Sequence, residues 1–560
     1  MKALYSLLAA LLLAASPCWA AISPGGVVNA ASFAPAGLPN APVASGSVIL
    51  VFGSGLAGPG LAQAGYPLPL DLAGTTIQVT VGGQTVDCYM IYTTPGQVAA
   101  LLPSSVPAGT GQITVTYNGS VSIGEIVVAE TSVGIFAQSQ AGVGAAIIQN
   151  FVDSATTPLN TITDSAAPGQ PVIIWATGVG AVEGDESNLL PGVRAEGVDV
   201  KVYIGGQEAQ VVDYGRSGCC AGLDQIVAIV PDGIASCYAP VTVVTSKNGV
   251  TVASNTVSMA IAQGGGACVD ESGFSPDDLD PGDASVKIGI LSLSRSSGSL
   301  SVGGLGSGTA IADTASASFL DIPRNQFVAG AFPSYSGSLN ACSVLQVLGE
   351  SADPAPGPVV TSLDAGSMTL TGPGGSRELP RFDEPVIIYQ DSATEAVEIN
   401  GVPQPSTGSL FLEPGTFTFS ATGGTGVGPF TVSETIPAIL EWLNDDDTTI
   451  ARDAPHTVTW SGAGGSDIVL IQGSSTAFAT TGNAVTVSFL CFADASAGSF
   501  TIPAYVLSSL PVSGELIAGI SSGTLGVSAF SRGKLFNAPG LTFGVVNYLM
   551  GVQAADVTYE

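Results

Sequence analysis

Two segments decide the fold: GSVILVFGSGL, starting at Gly46, and GQPVIIWATGV, starting at Gly169. They are one segment written twice at an offset of 123, so that Phe52 falls on Trp175 and Gly55 on Gly178. The same offset carries VTVGGQ (Val79–Gln84) onto VYIGGQ (Val202–Gln207). Further on, QVAALLP (Gln97–Pro103) falls on QIVAIVP (Gln225–Pro231), and Ile113–Val115 on Val241–Val243, at an offset of 128. The second copy therefore carries five extra residues between Gln207 and Gln225, a window that holds Gly218-Cys219-Cys220-Ala221-Gly222. A fixed internal period marks one structural unit built twice.

Each unit reads as strands. Its apolar runs are short, rich in β-branched residues and bounded by Gly, Pro or Asn. Asn118-Gly119 and Asn248-Gly249 lie between such runs and signal tight hairpins with positive φ. About seven strands without a helical period imply a β-sandwich of roughly 100 residues. The order G-x-x-V-x-[FW]-x-x-G, V-x-[VI]-G-G, Q-[VI]-x-x-x-[LV]-P, V-x-V resembles an IPT/TIG domain, an immunoglobulin-like fold. With the opening GVVNAASFAP (Gly26–Pro35), the tandem pair is similar to the uncharacterised Solibacter-type domain of acidobacterial secreted proteins over roughly Gly25 to Ala262. That resemblance implies a fold and a compartment but no established activity, since TIG domains elsewhere serve as spacers, adhesion modules or binding modules.

The leading residues point to export. Lys2 precedes the apolar stretch Leu4–Ala15, and Cys18 and Ala20 are small enough for a signal peptidase cut before Ala21. Pro17 argues against Cys18 as a lipid-modified residue, and the stretch falls short of the about 18 residues a membrane span needs. The chain holds 13 basic against 44 acidic residues, a net charge of −31, which repels nucleic acid. Charged residues are only 10% of the chain and glycines number 73, a balance suited to short strands and turns rather than amphipathic helices.

The expected organisation is all-β: a signal peptide over 1–20, IPT/TIG-like sandwiches over 21–130 and 131–263, a β-rich domain over 264–436, and a sandwich-like domain over 437–560. Gly264-Gly265-Gly266 reads as a linker, and Ser275-Pro276-Asp277-Asp278 as a short helix start with Ser275 as its cap. Pro354, Pro356 and Pro358 mark an irregular connection, and Pro503 is placed to open a helical turn through Leu510.

Candidate chemistry is sparse. Gly53, Gly55 and Gly58 spell GxGxxG after a strand, but Pro59-Gly60 follows where a nucleotide-binding helix would begin. Gly519-Ile520-Ser521-Ser522-Gly523 matches GxSxG, yet a strand-like run follows instead of a helix, and the only available base is His456, read as an exposed histidine at a strand start. Zinc would rest on Cys219, Cys220 and Cys237 without a C-x-x-C pair. Asp277, Asp278, Asp280 and Asp283, and again Asp445-Asp446-Asp447, lack EF-hand spacing. They read as solvated loops, and calcium is the one ion they would suit; no cofactor is otherwise implied. Tyr66, Tyr92, Tyr335 and Trp442 are the aromatics placed to stack on sugar rings, whereas Trp175 and Trp460 read as buried by pattern.

Beyond Cys18 the cysteines number seven, so at least one stays free or pairs between chains. Strand order decides the expected pairs. The strand Gln225–Pro231 spans about 20 Å, far beyond the reach of roughly 6 Å between Cα atoms of a disulfide. It separates Cys219 and Cys220 from Cys237. The chain then returns along Val252–Ile261 and brings Cys268 back to Cys237. The expectation is Cys237–Cys268, with Cys219 and Cys220 as a vicinal disulfide or two thiols and Cys268–Cys342 as the competing pair. Cys88 and Cys491, within strand-like runs, read as buried free thiols.

These readings converge on a non-catalytic secreted or cell-envelope protein, with no membrane span, whose sandwiches act as spacers and as adhesion or interaction surfaces for a protein or glycan. A glycan-binding or accessory protein of a polysaccharide-degrading system is the alternative, and a hydrolase ranks last.

Overall fold

The computed structural model describes residues 21–560 apart from 271–272, 274, 280–281, 303–305, 325–326, 328–337, 348–359, 396–397, 400–401, 404–405, 407, 479–483 and 518–519. The expected signal peptide, Asp280, Tyr335, Pro354, Pro356 and Pro358 lie outside the described residues. The regular secondary structure of the described chain is almost entirely strand, in tandem immunoglobulin-like sandwiches.

The first repeat forms one sandwich. Val48–Ser54 lies between Ala21–Asn29 and Gln97–Leu101 in one sheet, and Gly109–Tyr117 lies between Ser120–Ala129 and Thr75–Val81 in the facing one. Period two explains the layering: in Thr75–Val81, Ile77, Val79 and Val81 are buried while Gln78 is exposed. These side chains meet Ile49, Val51, Val98, Ile113 and Val115 in one core. The second repeat builds the same sandwich, with Pro171–Thr177 paired to Asp224–Ile229 and facing Asp199–Ile204 and Ser236–Lys247. Asn118 and Asn248 take φ of 46° and 51°, each followed by a positive-φ glycine, the conformation of a tight hairpin turn.

The second half departs from the expected division at Ile436–Pro437. A 12-stranded sheet runs through both expected domains. Its centre is Phe543–Tyr559, which pairs antiparallel with Gly523–Phe530 on one side and parallel with Ser285–Val302 on the other. Two small sheets cover this large one. Met368–Gly372, Gly375–Leu379, Gly415–Ala421 and Phe430–Ile436 close one core around Phe319, Phe417 and Phe419. Glu441–Trp442, His456–Ser461 and Ser499–Ile502 close another around Trp460, Phe489 and Tyr559. Ile436 thus ends one covering sheet but does not end a domain, and Ala341–Val347, which precedes it, belongs to the later core. Among the described residues helix is limited to short turns, at Pro276–Asp278, Ala495–Ala497 and Ala504–Leu507, and to Arg324 and Phe327.

The units touch through specific side chains. Leu38, in the loop before the second strand of the first sandwich, is buried in the core of Trp460 and Phe489. Gln346 Nε2 donates to Asn40 Oδ1 at 3.3 Å. Tyr203 of the second sandwich stacks on Tyr505 at 4.3 Å between ring centroids.

Candidate functional site

A buried polar cluster lies where the two repeats meet. Arg216 ends the strand Val211–Arg216 and is buried. Its Nη1 donates to Asp224 Oδ1 at 2.5 Å, and its Nη2 to the carbonyls of Gly46 at 2.6 Å and Gly180 at 3.1 Å. Gly46 opens the first repeat segment, and a Cβ there would lie 2.4 Å from Arg216 Nη2; its counterpart Gly169 has open space at that point. A glycine with φ of +79° is therefore required at Gly46 for the guanidinium to reach the first sandwich.

Glu186 completes the cluster 3.9 Å from Arg216. Its carboxylate accepts from the Ser104 amide at 2.7 Å and the Ser104 hydroxyl at 2.8 Å, across the junction. Burial pushes its pKa above the usual carboxylate range, an effect that the Ser104 donors and Arg216 partly oppose. Two further residues tie the sandwiches. Asn29 Nδ2 donates to the carbonyls of Ser132 and Thr177, and the Thr177 hydroxyl donates to Gly222 O at 2.7 Å while accepting from Val48 N at 2.9 Å. The cleft between Leu101, Glu186, Leu190, Arg216 and Cys220 encloses about 10 Å³, space for about one water rather than a small-molecule substrate.

The five-residue insertion forms part of this junction. Cys219 and Cys220 are joined as a vicinal disulfide. The next residue, Ala221, donates its amide to Tyr66 Oη at 2.9 Å, and Ala221 packs with Leu68 and Leu101 of the first sandwich. Cys237 is bonded to Cys268. Cys342 is bonded to Cys491 across the strand pair Ala341–Val347 and Ala484–Asp494, where the two residues sit directly opposite. Cys491 is thus buried but not free, and the competing Cys268–Cys342 pair does not form. Cys88 is a free thiol, raised by burial and by Asp87.

The other sequence candidates are not assembled into a site. Gly53, Gly55 and Gly58 follow the strand Val48–Ser54, and the next element is the strand Ala62–Gln63, not a helix. Ser521 lies on the short strand Ile520–Ser521, with a strand following, and its side chain is outside the described residues. His456 is not the exposed residue expected. It is half-buried, and its Nε2, 3.9 Å from Asp447, has no hydrogen-bond partner. Burial lowers its pKa, with Asp447 pulling the other way. Among the described residues no three His, Cys, Asp or Glu side chains cluster to hold a metal ion. Trp442 is buried, with Nε1 donating to Asn444, so it offers no face to a sugar. Trp175 is the reverse case: expected inside, it lies half-buried on the outer face of its sheet, with Nε1 donating to Gln149 Oε1 at 2.8 Å. Tyr66 is exposed, and Tyr92 is half-buried. Sequence reasoning missed Arg216 and Glu186; the signal available was the insertion itself, with one of 13 basic residues beside it.

No family model matches the chain, and no curated protein matches it. Among solved structures, titin domains A168-A170 are similar at 9% identity, over 71% of this chain and 97% of that one, with a TM-score of 0.13. Sidekick-1 immunoglobulin domains 1-4 are similar at 11% identity, over 96% and 99%, with a TM-score of 0.12. The ICAM-5 D1-D4 ectodomain fragment is similar at 10% identity, over 97% and 98%, with a TM-score of 0.13. At these scores the immunoglobulin-like architecture rests on the sheets described above.

Proposed function

We propose that this is a non-catalytic exported protein of the cell envelope or exterior, whose sandwiches form a braced spacer that presents interaction surfaces. The observation that carries this reading is the buried junction. Arg216, Glu186 and Asn29 fix the relative placement of the two repeats through hydrogen bonds made by buried side chains, which is the opposite of a flexible linker. Export is supported by the leading sequence up to Ala20 and by the disulfides, which suit an oxidising compartment. Membership of the Solibacter-type secreted family is part of this reading and rests on the quoted motifs. Small-angle scattering from the chain beginning at Ala21 tests the brace: one rigid shape should fit the data, and a need for an ensemble of inter-sandwich angles would overturn it. Fluorophosphonate labelling that vanishes in Ser521→Ala would overturn the non-catalytic reading.

A second reading, a glycan-binding protein, is favoured by Trp175. Its ring lies on an outer sheet face beside half-buried Ile173 and Val227, opposite Gln225 in register, and the charged side chain on that face, Asp213 opposite Val227, is paired with Arg194. An aromatic face flanked by amides is suited to a neutral sugar ring. Binding on a glycan array that disappears in Trp175→Ala supports this reading; binding unchanged by that substitution removes the site.

A further inference from the structure

We propose that Cys219–Cys220 is a reducible switch of the junction, a site for reversible thiol–disulfide exchange with a dithiol reductant. The inference rests on the reading of the junction as a brace and adds a means of loosening it.

Three observations carry the proposal. The first is access: Cys219 is exposed and Cys220 half-exposed, whereas Cys237, Cys268, Cys342 and Cys491 are all buried. An attacking thiolate needs a path to a sulfur, so a dithiol reaches the vicinal pair before the other two bonds. The second is chain topology. The pair closes a loop of adjacent residues, so it restricts the unfolded chain hardly at all, while the other bonds span 31 and 149 residues. Losing this bond therefore leaves the folded units standing. The third is placement. The bond fixes the backbone just before Ala221 and Gly222, whose amide and carbonyl meet Tyr66 Oη and the Thr177 hydroxyl. Gly222 is itself pressed against the first sandwich, since a Cβ there would lie 2.7 Å from Leu101 and 2.8 Å from Val48. Freedom at Cys219 and Cys220 is thus transmitted directly to a contact between sandwiches. The insertion that distinguishes the second repeat from the first supplies both the cysteines and this contact.

The exchange balances. A thiolate of the dithiol attacks Cys219 Sγ, the Sγ–Sγ bond breaks, and Cys220 leaves as a thiolate that takes up a proton. The second thiol of the reductant then attacks the mixed disulfide and releases Cys219. Two electrons and two protons pass to the protein, and the reductant becomes a cyclic disulfide. Oxidation reverses the step.

The test is hydrogen exchange on the full chain from Ala21, with graded dithiothreitol and mass mapping of each cysteine peptide. The expected result is reduction of Cys219–Cys220 at reductant levels that leave Cys237–Cys268 and Cys342–Cys491 intact. At that level, exchange should accelerate by about fivefold or more in 61–70 and 217–223, with the strand 171–177 unchanged. A Cys219→Ser, Cys220→Ser double variant should show the same acceleration without reductant, and the protection of 171–177 reports that it has folded. The proposal is overturned if the vicinal pair is reduced last, or if exchange in 61–70 is the same in both redox states and in the double variant. Failure of the brace itself is a separate result: 61–70 and 217–223 would then exchange as fast as free loops even in the oxidised wild type.

Discussion

At the residue scale, the junction depends on one cation serving two buried carboxylates. Arg216→Met would leave Glu186 and Asp224 without it, and removing one partner of a buried ion pair costs about 3–5 kcal/mol. Urea denaturation should show a loss of that size, and adding Glu186→Gln and Asp224→Asn should recover part of it, because the uncompensated charges go with them. A full loss unmoved by the repair would mean that packing, not charge, holds the junction. His456 gives a second prediction. Burial sets its folded pKa below the unfolded value of about 6.5. A depressed folded pKa contributes stability above the unfolded pKa, and that contribution is lost as pH falls through the folded value. The C-terminal unit should therefore weaken on acidification below about pH 6.5. Because His456 is the chain's sole histidine, its imidazole NMR signal reports it without ambiguity; titration above that value would show that Asp447 outweighs burial. The sequence marks the insertion beside Arg216 and the strand start at His456 but not the burial of either side chain. Burial of a lone arginine is not written in a strand pattern, and the run PVIIWAT is apolar at both parities, so it could not say that Trp175 faces outward while Val172 and Ile174 face in.

At the element scale, the repeat was legible because strands, turns and offsets are local. The large sheet was not. Phe543–Tyr559 reads as a strand, but its parallel partner Ser285–Val302 lies more than 200 residues earlier, and local alternation carries no register over that distance. The same limit hid the Cys342–Cys491 pair, whose partners are 149 residues apart. The loop between Asn29 and Val43 was equally silent. It contributes Leu38 to a core built by strands of the second half. Leu38→Ala should cost about 2–5 kcal/mol, as large-to-small core changes do. The loss should appear in the C-terminal unit and leave the first sandwich's own strands protected. Hydrogen exchange localises it: acceleration in 468–478 and 484–494 is expected, and acceleration confined to 48–54 and 97–101 would place Leu38's role in the first sandwich instead.

At the scale of the whole molecule, the question is whether the units unfold separately. Domains joined only by linkers keep their own cores and melt one by one. Here three contacts oppose that. Arg216 of the second sandwich is satisfied by Gly46 of the first, Leu38 of the first is buried in the C-terminal core, and Tyr203 stacks on Tyr505. Unfolding the C-terminal unit would expose Leu38 and Tyr203, and unfolding the first sandwich would strip Arg216 of a carbonyl and open the core that Leu38 fills. Each unit therefore raises the free-energy cost of unfolding its neighbour, which is the condition for a shared transition. Calorimetry under oxidising conditions should show one dominant endotherm for the chain from Ala21, and Leu38→Ala combined with Tyr203→Ala should split it, because the C-terminal unit then keeps only lesser contacts with the sandwiches, such as Gln346 on Asn40, while Arg216 still joins the two sandwiches to each other. Well-separated endotherms in the wild type would show that the contacts merely orient the units, and that each sandwich stands or falls by its own core.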